Sequence, residues 1–234
     1  MISLPVLKTF DTAPELAQVL AKKIAAQLQE SVDKKGSASL VLSGGSTPLK
    51  LFAALSTQAI DWQEVFVTLA DERWVSPEHA DSNERLVREH LLVNRAASAK
   101  FRGLKNIHST PEQGVQMTTE VLSNLPRPFD VVILGMGNDG HTASLFPCSE
   151  QLTQGLETEA MCLAVHPTTA PHGRLSLSLS ALLNSRQIYL HLQGEAKQQV
   201  LEQALSSDDV MAMPIRAVLK QRNTPVDVYW SKNS

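Results

Sequence analysis

Short apolar segments alternate with helical segments along this 234-residue chain, and that alternation restricts its fold more than any other feature. The apolar segments, which we predict to be strands, are 40–42, 65–69, 131–134, 161–165, 188–192 and 227–230. Helical segments lie between them, from Pro48, from about Asn83, at about 112–122 and at 195–205. Strands separated by helices predict an α/β fold with a mostly parallel sheet covered on both faces.

The N-terminal part predicts one long helix. Thr12 and Glu15 have the spacing of a capping box, Pro14 fits the first turn, and Gly36 ends the segment. One apolar helical face is predicted from Leu16, Val19, Leu20, Ile24 and Leu28. Because no linker, repeat or low-complexity stretch interrupts the sequence, we expect a single domain over residues 1–234.

Composition excludes several classes of protein. The formal net charge is -3, so we expect no nucleic-acid partner, and 43% of residues are apolar, so a buried core is expected. There is no apolar run of about 18 residues, so no membrane association is predicted. The first eight residues do not resemble a secretory leader, and two cysteines are too few for a disulfide framework; both observations favour a cytoplasmic protein with free thiols.

In parallel α/β folds, ligands bind beyond the carboxyl ends of the strands, so the residues that follow each strand are the candidate site. The first such segment is 43–48, with the sequence SGGSTP. Its glycines allow close approach of a ligand, its hydroxyl groups can donate, and Pro48 opens a helix whose free amides suit a phosphate. A glycine turn capped by Ser46 or Thr47 is the structural alternative.

The second segment is the charged triplet 71–73, Asp-Glu-Arg, which is either a solvated loop or part of a site. Ser82 and Asn83, which follow it, fit a helix N-cap. Beyond the strand at 188–192, Lys197 is predicted in the first turn of a helix, where the helix dipole does not favour a cation. Lys197 and Arg174 are therefore either ligand-binding groups or ordinary surface charges.

The third segment, 135–141 (GMGNDGH), formally matches the dinucleotide pattern GxGxxG. Pro147 would break the helix that should follow, and the next strand ends in His166 rather than in an acidic residue, so an NAD-dependent dehydrogenase is not expected. The loop instead offers glycine amides for an oxyanion and the imidazole of His141 as a base. No metal site is predicted from the histidine spacing, and no GxSxG nucleophile motif is present.

Taken in order, these blocks resemble 6-phosphogluconolactonases over nearly the whole chain. The blocks that carry the resemblance are 42–48, 71–73 with 82–83, 134–147, Arg174 and 194–197. The resemblance implies a three-layer α/β/α sandwich with a mostly parallel Rossmann-like sheet, shared with glucosamine-6-phosphate deaminases. It also implies hydrolysis of 6-phosphoglucono-δ-lactone to 6-phosphogluconate, in the pentose phosphate pathway, without a cofactor or metal.

The resemblance assigns roles to particular residues. His141 is expected to be the general base, with Arg73 near the reacting end of a phosphorylated sugar lactone; Asp71 and Asp139 complete the candidate catalytic set. The phosphate end is expected to be held by Ser43, Gly44, Gly45, Ser46, Thr47, Arg174 and Lys197. The expected assembly is a monomer or small homo-oligomer.

Two rival functions differ in testable ways. A glucosamine-6-phosphate deaminase resembles this chain but carries a glutamate five residues past the shared histidine; here that position is Phe146, which cannot accept a proton. A sugar-phosphate-binding sensor of the same fold needs a DNA-binding helix-turn-helix, and the N-terminal 36 residues have room for little more than one strand and one helix. Both comparisons favour the lactonase.

Overall fold

A computed structural model describes residues 5–233, and Met1–Leu4 and Ser234 lie outside the described residues. Met1–Leu4 begin the segment from which the absence of a secretory leader was predicted. The strands are β1 (Val6–Thr12), β2 (Ala38–Leu42), β3 (Val65–Leu69), β4 (Asp71–Arg73), β5 (Lys100–Phe101), β6 (Val131–Leu134), β7 (Cys162–Val165), β8 (Arg174–Leu177), β9 (Ile188–Gln193) and β10 (Val226–Asn233). The helices are α1 (Ala13–Lys35), α2 (Leu49–Ser56), α3 (Asn83–His90), α4 (Pro111–Ser123), α5 (Leu152–Glu157), α6 (Leu179–Leu183), α7 (Glu195–Leu205) and α8 (Ile215–Leu219).

Seven strands form one sheet in the order β1-β10-β9-β6-β2-β3-β5, and all of its pairings are parallel. The central strands β2 and β6 are buried at every residue, as expected where helices cover both faces of a sheet. Helix α1 packs on α2 and on β1, β2 and β10, whereas α7 packs on β9 and α8. The predicted α/β fold with a mostly parallel sheet is confirmed.

A second, three-stranded sheet was not predicted. Its strands β4, β8 and β7 pair in antiparallel fashion, with Arg73 opposite Arg174 and Arg174 opposite Val165. The segment 161–165 was expected in the parallel sheet, and that expectation is wrong. The segment 71–73, for which a solvated loop was one of two alternatives, forms strand β4. The pairing of β4 with β8 joins residues about a hundred positions apart, which local sequence patterns do not reveal.

Helix α1 follows its predicted boundaries. The Thr12 side chain accepts the Glu15 amide N–H at 3.4 Å, and Gly36 ends the helix with a φ of 75°. The predicted apolar face is correct except for Val19, which is 44% exposed. The buried face of α1 includes Ala17 and Ala21, which lie beside the predicted apolar residues that are spaced four apart. Val19 lies outside this buried face.

Two further predictions concern membrane-spanning helices and the state of the cysteines. Within residues 5–233, no helix has both the length and the hydropathy that crossing a bilayer requires. Cys148 and Cys162 are free thiols, as expected.

Candidate active site

Four neighbouring strands, β9, β6, β2 and β3, deliver the predicted segments to one edge of the sheet. A cavity of about 330 Å³ lies at that edge. The predicted residues that line it are Ser43, Gly44, Gly45, Ser46, Thr47, Asp71, Arg73, His141, Arg174 and Lys197. Asp139 is not part of the lining and contacts His141 instead. Segments distant in sequence therefore meet as the rule for parallel sheets predicts.

The imidazole of His141 is held from two directions. Its Nδ1 lies 2.6 Å from Oδ1 of Asp139, which also accepts the His141 amide N–H at 3.1 Å. The Phe146 ring stacks on the imidazole, with centroids 4.0 Å apart and an interplanar angle of 27°. With Nδ1–H donated to the carboxylate, the lone pair on Nε2 is left free for a proton. Phe146 thus fixes the plane of the ring, although it cannot accept a proton.

The Asp139 carboxylate is partly exposed and remains ionised. Burial raises the pKa of Asp139, but the charge and hydrogen bonds of His141 outweigh that effect and hold the pKa below its usual value. An ionised carboxylate behind the ring stabilises an imidazolium when one forms. The pair is therefore suited to taking up a proton and returning it.

Gly137 makes room for this pair. A Cβ atom at Gly137 would lie 2.1 Å from Nδ1 of His141 and 2.5 Å from Oδ1 of Asp139. At Gly135, by contrast, a Cβ atom would meet nothing within 4 Å. The loop amides have a different role from the one expected: Gly137 N–H bonds to the His141 carbonyl and Gly140 N–H to the Gly137 carbonyl. These two amides shape the loop, so they are not free for an oxyanion.

The β2–α2 loop presents unpaired donors to the cavity. Within residues 5–233, the amide N–H groups of residues 44–47 make no hydrogen bond, and Oγ of Ser43 is buried without a partner. Gly45 has a φ of 93°, in the left-handed region that favours glycine. Gly44 is needed for another reason, because a Cβ atom there would lie 1.8 Å from Oδ1 of Asn83. Consecutive unpaired amides at a helix start suit an anion.

Lys197 faces this loop from the first turn of α7. Its Nζ donates to the Met136 carbonyl and to Oδ1 of Asn138, both at 2.7 Å, which leaves one of its three donors for a ligand. Burial lowers the pKa of Lys197, and the Asp139 carboxylate opposes that effect in part. The half-buried ammonium therefore anchors the loop of His141 at the cavity.

Two arginines complete the cationic lining. Arg174 is 6% exposed, so the surface alternative for this residue is wrong. Its guanidinium lies 5.1 Å from the centre of the Phe146 ring, and its Nε has no hydrogen-bond partner among residues 5–233. Arg73 donates from Nη1 to the Asp81 carbonyl at 2.5 Å, and its buried Nε is also unpaired within the described residues. Both arginines keep donors available for a ligand.

The acidic residues of β4 are anchored. Oδ2 of Asp71 accepts from Oγ of Ser144 at 2.5 Å and lies 3.5 Å from Arg174 Nη1. Glu72 is fully buried and accepts four hydrogen bonds, from the amides of Arg73, Asn83 and Glu84 and from the Ser82 hydroxyl. Ser82 also caps α3, as predicted, by accepting the Arg85 amide. The solvated-loop alternative for 71–73 is therefore wrong.

Sequence reasoning missed His191, a lining residue on β9. Its ring is 4% exposed, its Nδ1 has no partner within the described residues, and burial lowers its pKa to about 4. A histidine inside an otherwise apolar strand, close to the carboxyl end, was the available signal. Asn83, predicted only as part of an N-cap, also lines the cavity and packs against Gly44.

Comparison with known proteins shows the family of this chain. Residues 11–230 match the family model of glucosamine-6-phosphate isomerases/6-phosphogluconolactonase. A 6-phosphogluconolactonase of Pseudomonas putida is 43% identical over 220 residues, covering 93% of this chain and 89% of that protein. One from Pseudomonas aeruginosa is 40% identical, covering 96% and 94%. The crystal structure of a 6-phosphogluconolactonase from Shewanella baltica is 68% identical, covers 99% of each chain and has a TM-score of 0.97.

The parallel sheet, the imidazole–carboxylate pair and a cavity lined by cationic side chains at the carboxyl edge of the sheet define the class of an α/β enzyme. More specifically, the chain belongs to the glucosamine-6-phosphate isomerase/6-phosphogluconolactonase family.

Proposed function

We propose that this chain is a lactone hydrolase that converts 6-phosphoglucono-δ-lactone into 6-phosphogluconate in the pentose phosphate pathway. Relatives that match over nearly the full chain bear the name 6-phosphogluconolactonase. The observation that carries the proposal is the His141–Asp139 pair, 2.6 Å apart, in the same cavity as the unpaired amides of residues 44–47. In this proposal, His141 supplies the base and the amides of residues 44–47 supply donors for a dianion in the same cavity.

The base is His141. Nε2 takes a proton from water as the water oxygen attacks C1 of the lactone, and Asp139 stabilises the resulting imidazolium. The attack yields a tetrahedral intermediate with a negative oxygen at C1. Collapse of the intermediate breaks the bond between C1 and the ring oxygen, and the imidazolium returns its proton to that oxygen. Atoms and charge balance without a covalent intermediate on the protein.

We assign stabilisation of the oxyanion to Arg73, because the amide N–H groups of Gly137 and Gly140 make hydrogen bonds within the loop. Arg73 lines the cavity and has donors that make no hydrogen bond among residues 5–233. A fixed cation at the carbonyl oxygen stabilises the charge that develops there. Asp71, which holds Arg174 and accepts from Ser144, is assigned a positioning role rather than a proton-transfer role.

The phosphate end is assigned to the β2–α2 loop with Arg174 and Lys197. Binding energy from a group remote from C1 holds the ring beside His141 without contributing to the bond changes themselves. Charge-assisted hydrogen bonds contribute about 1.5–3 kcal/mol each, so two cations and several amides suffice to retain a small substrate.

The deaminase alternative is disfavoured by Phe146. The position that carries a glutamate in deaminases is occupied by a 3% exposed phenylalanine stacked on His141. The sensor alternative is disfavoured by the relatives, which match over nearly the full chain and bear the name of an enzyme. We further propose a cytoplasmic location, supported by two free thiols, and a monomer or small homo-oligomer.

The test is direct addition of freshly made 6-phosphogluconolactone to the purified chain, with acid release followed against the spontaneous rate. We expect rapid acid release, slower release from unphosphorylated gluconolactone, and no ammonia from glucosamine 6-phosphate. Robust ammonia release with no acceleration of lactone opening would overturn the proposal and leave the family and the fold unchanged.

A further inference from the structure

Three side chains of types that can bind metal ions meet outside the cavity; His79 and Asp81 are neighbours in sequence and His172 is distant from both. Oδ2 of Asp81 lies 2.9 Å from Nε2 of His172 and 3.8 Å from Nδ1 of His79. One ligand atom from each residue lies within 4.8 Å of the other two. None of the three lines the active-site cavity. The histidine spacing predicted no metal site, because 91 residues separate Asp81 from His172 and only the fold brings them together.

The β4–β8 pairing creates this cluster. Arg73 lies opposite Arg174, and the pairing continues beyond the strands with a hydrogen bond from the Trp74 amide to the Gly173 carbonyl at 2.8 Å. His172 follows at a φ of 68°, a left-handed conformation that is uncommon for a residue with a side chain. The backbone thus fixes one imidazole beside the segment that carries the other two ligands before any ligand arrives.

The ligand atoms already make hydrogen bonds that a metal ion would replace. Nδ1 of His79 accepts the Asp81 amide N–H at 3.1 Å, and Nε2 of His172 lies 2.9 Å from Oδ2 of Asp81. The three side chains are 29% to 50% exposed, which leaves room for water molecules to complete a coordination shell.

We propose that His79, Asp81 and His172 form a site for a divalent transition-metal ion of the zinc class, separate from the catalytic pocket. With bonds of 2.0–2.2 Å, two ligands on a tetrahedral zinc ion lie about 3.4 Å apart, between the two distances measured here to Asp81 Oδ2. Two imidazoles and one carboxylate favour Zn²⁺, Ni²⁺ or Cu²⁺ over Mg²⁺ and Ca²⁺, which take oxygen ligands.

A metal at this site links the segment before β8 to the segment after β4. Those strands carry Arg174 and Arg73, and the Asp81 carbonyl accepts from Arg73. The metal therefore cross-links the two arginine-bearing strands, and because it binds only the folded chain, it raises the melting temperature.

The test is calorimetric titration of the full chain with Zn²⁺, and separately with Mg²⁺, together with melting curves. We expect one equivalent of Zn²⁺ to bind and raise Tm, with no uptake of Mg²⁺. Loss of an outer-shell partner alone costs about 10–100-fold in metal affinity, so His172→Asn and His79→Gln should weaken binding at least about tenfold. Asparagine suits position 172 because it tolerates a left-handed backbone.

Two matched variants keep this test separate from the proposed catalytic function. His90→Asn changes an exposed histidine on α3, and His141→Asn removes the imidazole of the catalytic pair; both should bind Zn²⁺ like the wild type. Absence of Zn²⁺ uptake by the wild type would overturn the proposal and leave a hydrogen-bonded cluster only. Binding that survives in His172→Asn but is lost in His141→Asn would also overturn it, because the ion would then sit in the pocket.

Discussion

Two carboxylates near the carboxyl edge of the sheet, Glu72 and Asp139, are held in opposite ways. Glu72 is fully buried, and both of its oxygens are taken up by three backbone amides and one hydroxyl. The Asp139 side chain is 38% exposed and pairs with the imidazole of His141 and the amide of the same residue. A carboxylate whose lone pairs are all engaged fixes the backbone around it. A carboxylate whose partner is a titratable ring at a cavity has the arrangement that proton transfer requires.

Removal of Glu72 should have the largest effect on the folded state. In Glu72→Ala, three amides and a hydroxyl lose their acceptor, and each buried unsatisfied donor costs about 1–3 kcal/mol. We expect the free energy of unfolding, measured in urea, to fall by about 4 kcal/mol or more. The control is Glu89→Ala, which removes an exposed partner of Arg85 on the same helix and should cost less than about 0.5 kcal/mol. Similar losses in both variants would show that Glu72 is not an anchor.

A methyl group at Gly137 should damage the other carboxylate without unfolding the chain. The added Cβ overlaps the His141 and Asp139 side chains, which must move apart. A displacement of about 1 Å at a catalytic group can cost about 10²-fold in rate, so we expect kcat of Gly137→Ala to fall by that factor. The matched variant is Gly135→Ala, in the same loop, where the Cβ meets open space. Equal rates for the two variants would contradict the assigned geometry.

Removal of Lys197 should separate substrate capture from chemistry. Lys197→Ala deletes one cation of the phosphate end, so kcat/KM for the phosphorylated lactone should fall by about ten- to a hundredfold. Because Lys197 also holds the loop of His141 through Asn138, the control is Asn138→Ala, which removes that contact and keeps the charge. Unphosphorylated gluconolactone should be affected less by Lys197→Ala. Equal losses on both substrates would remove Lys197 from the phosphate site.

His191 should make stability depend on pH, with little effect at neutrality. Burial lowers its pKa to about 4, whereas an exposed histidine in the unfolded chain titrates at about 6.5. Between these values the unfolded chain binds a proton that the folded chain does not, so stability falls as pH falls. From pH 7 to pH 5 the loss due to this group is about 2 kcal/mol. Urea unfolding of His191→Gln should show a pH dependence weaker by that amount; identical pH dependence in wild type and variant would contradict the buried, neutral state.

The sequence was sufficient to locate the candidate site, but it did not distinguish the roles of the acidic residues there. The strand ends could be predicted because 43–48, 71–73, 135–141 and 194–197 each follow an apolar run, and parallel strands end at a common edge. The second sheet could not be predicted, because β4 is three residues long and is defined by its pairing with β8. From the sequence alone, without knowledge of that pairing, Glu72 is interpreted as a charged residue in a loop.

Local sequence patterns also did not predict how side chains pack against one another. Phe146 was considered only for its lack of a proton acceptor, whereas it stacks on His141 and contacts Arg174. The bounds of the edge strand β1 were not predicted, because its residues are exposed or half-buried and form little apolar pattern. The short helices α5, α6 and α8 have at most six residues, too few for a clear helical period.

The central claim is that His141, and not a buried carboxylate, activates the attacking water. The measurement is kcat of His141→Asn on freshly made 6-phosphogluconolactone, with the spontaneous rate subtracted and urea unfolding recorded in parallel. General-base assistance is worth about 10²–10⁴-fold, so kcat should fall within that range while KM and the free energy of unfolding stay close to those of the wild type. A folded His141→Asn chain with near-normal kcat would contradict the account and direct attention to Asp71 or Asp139 as the base.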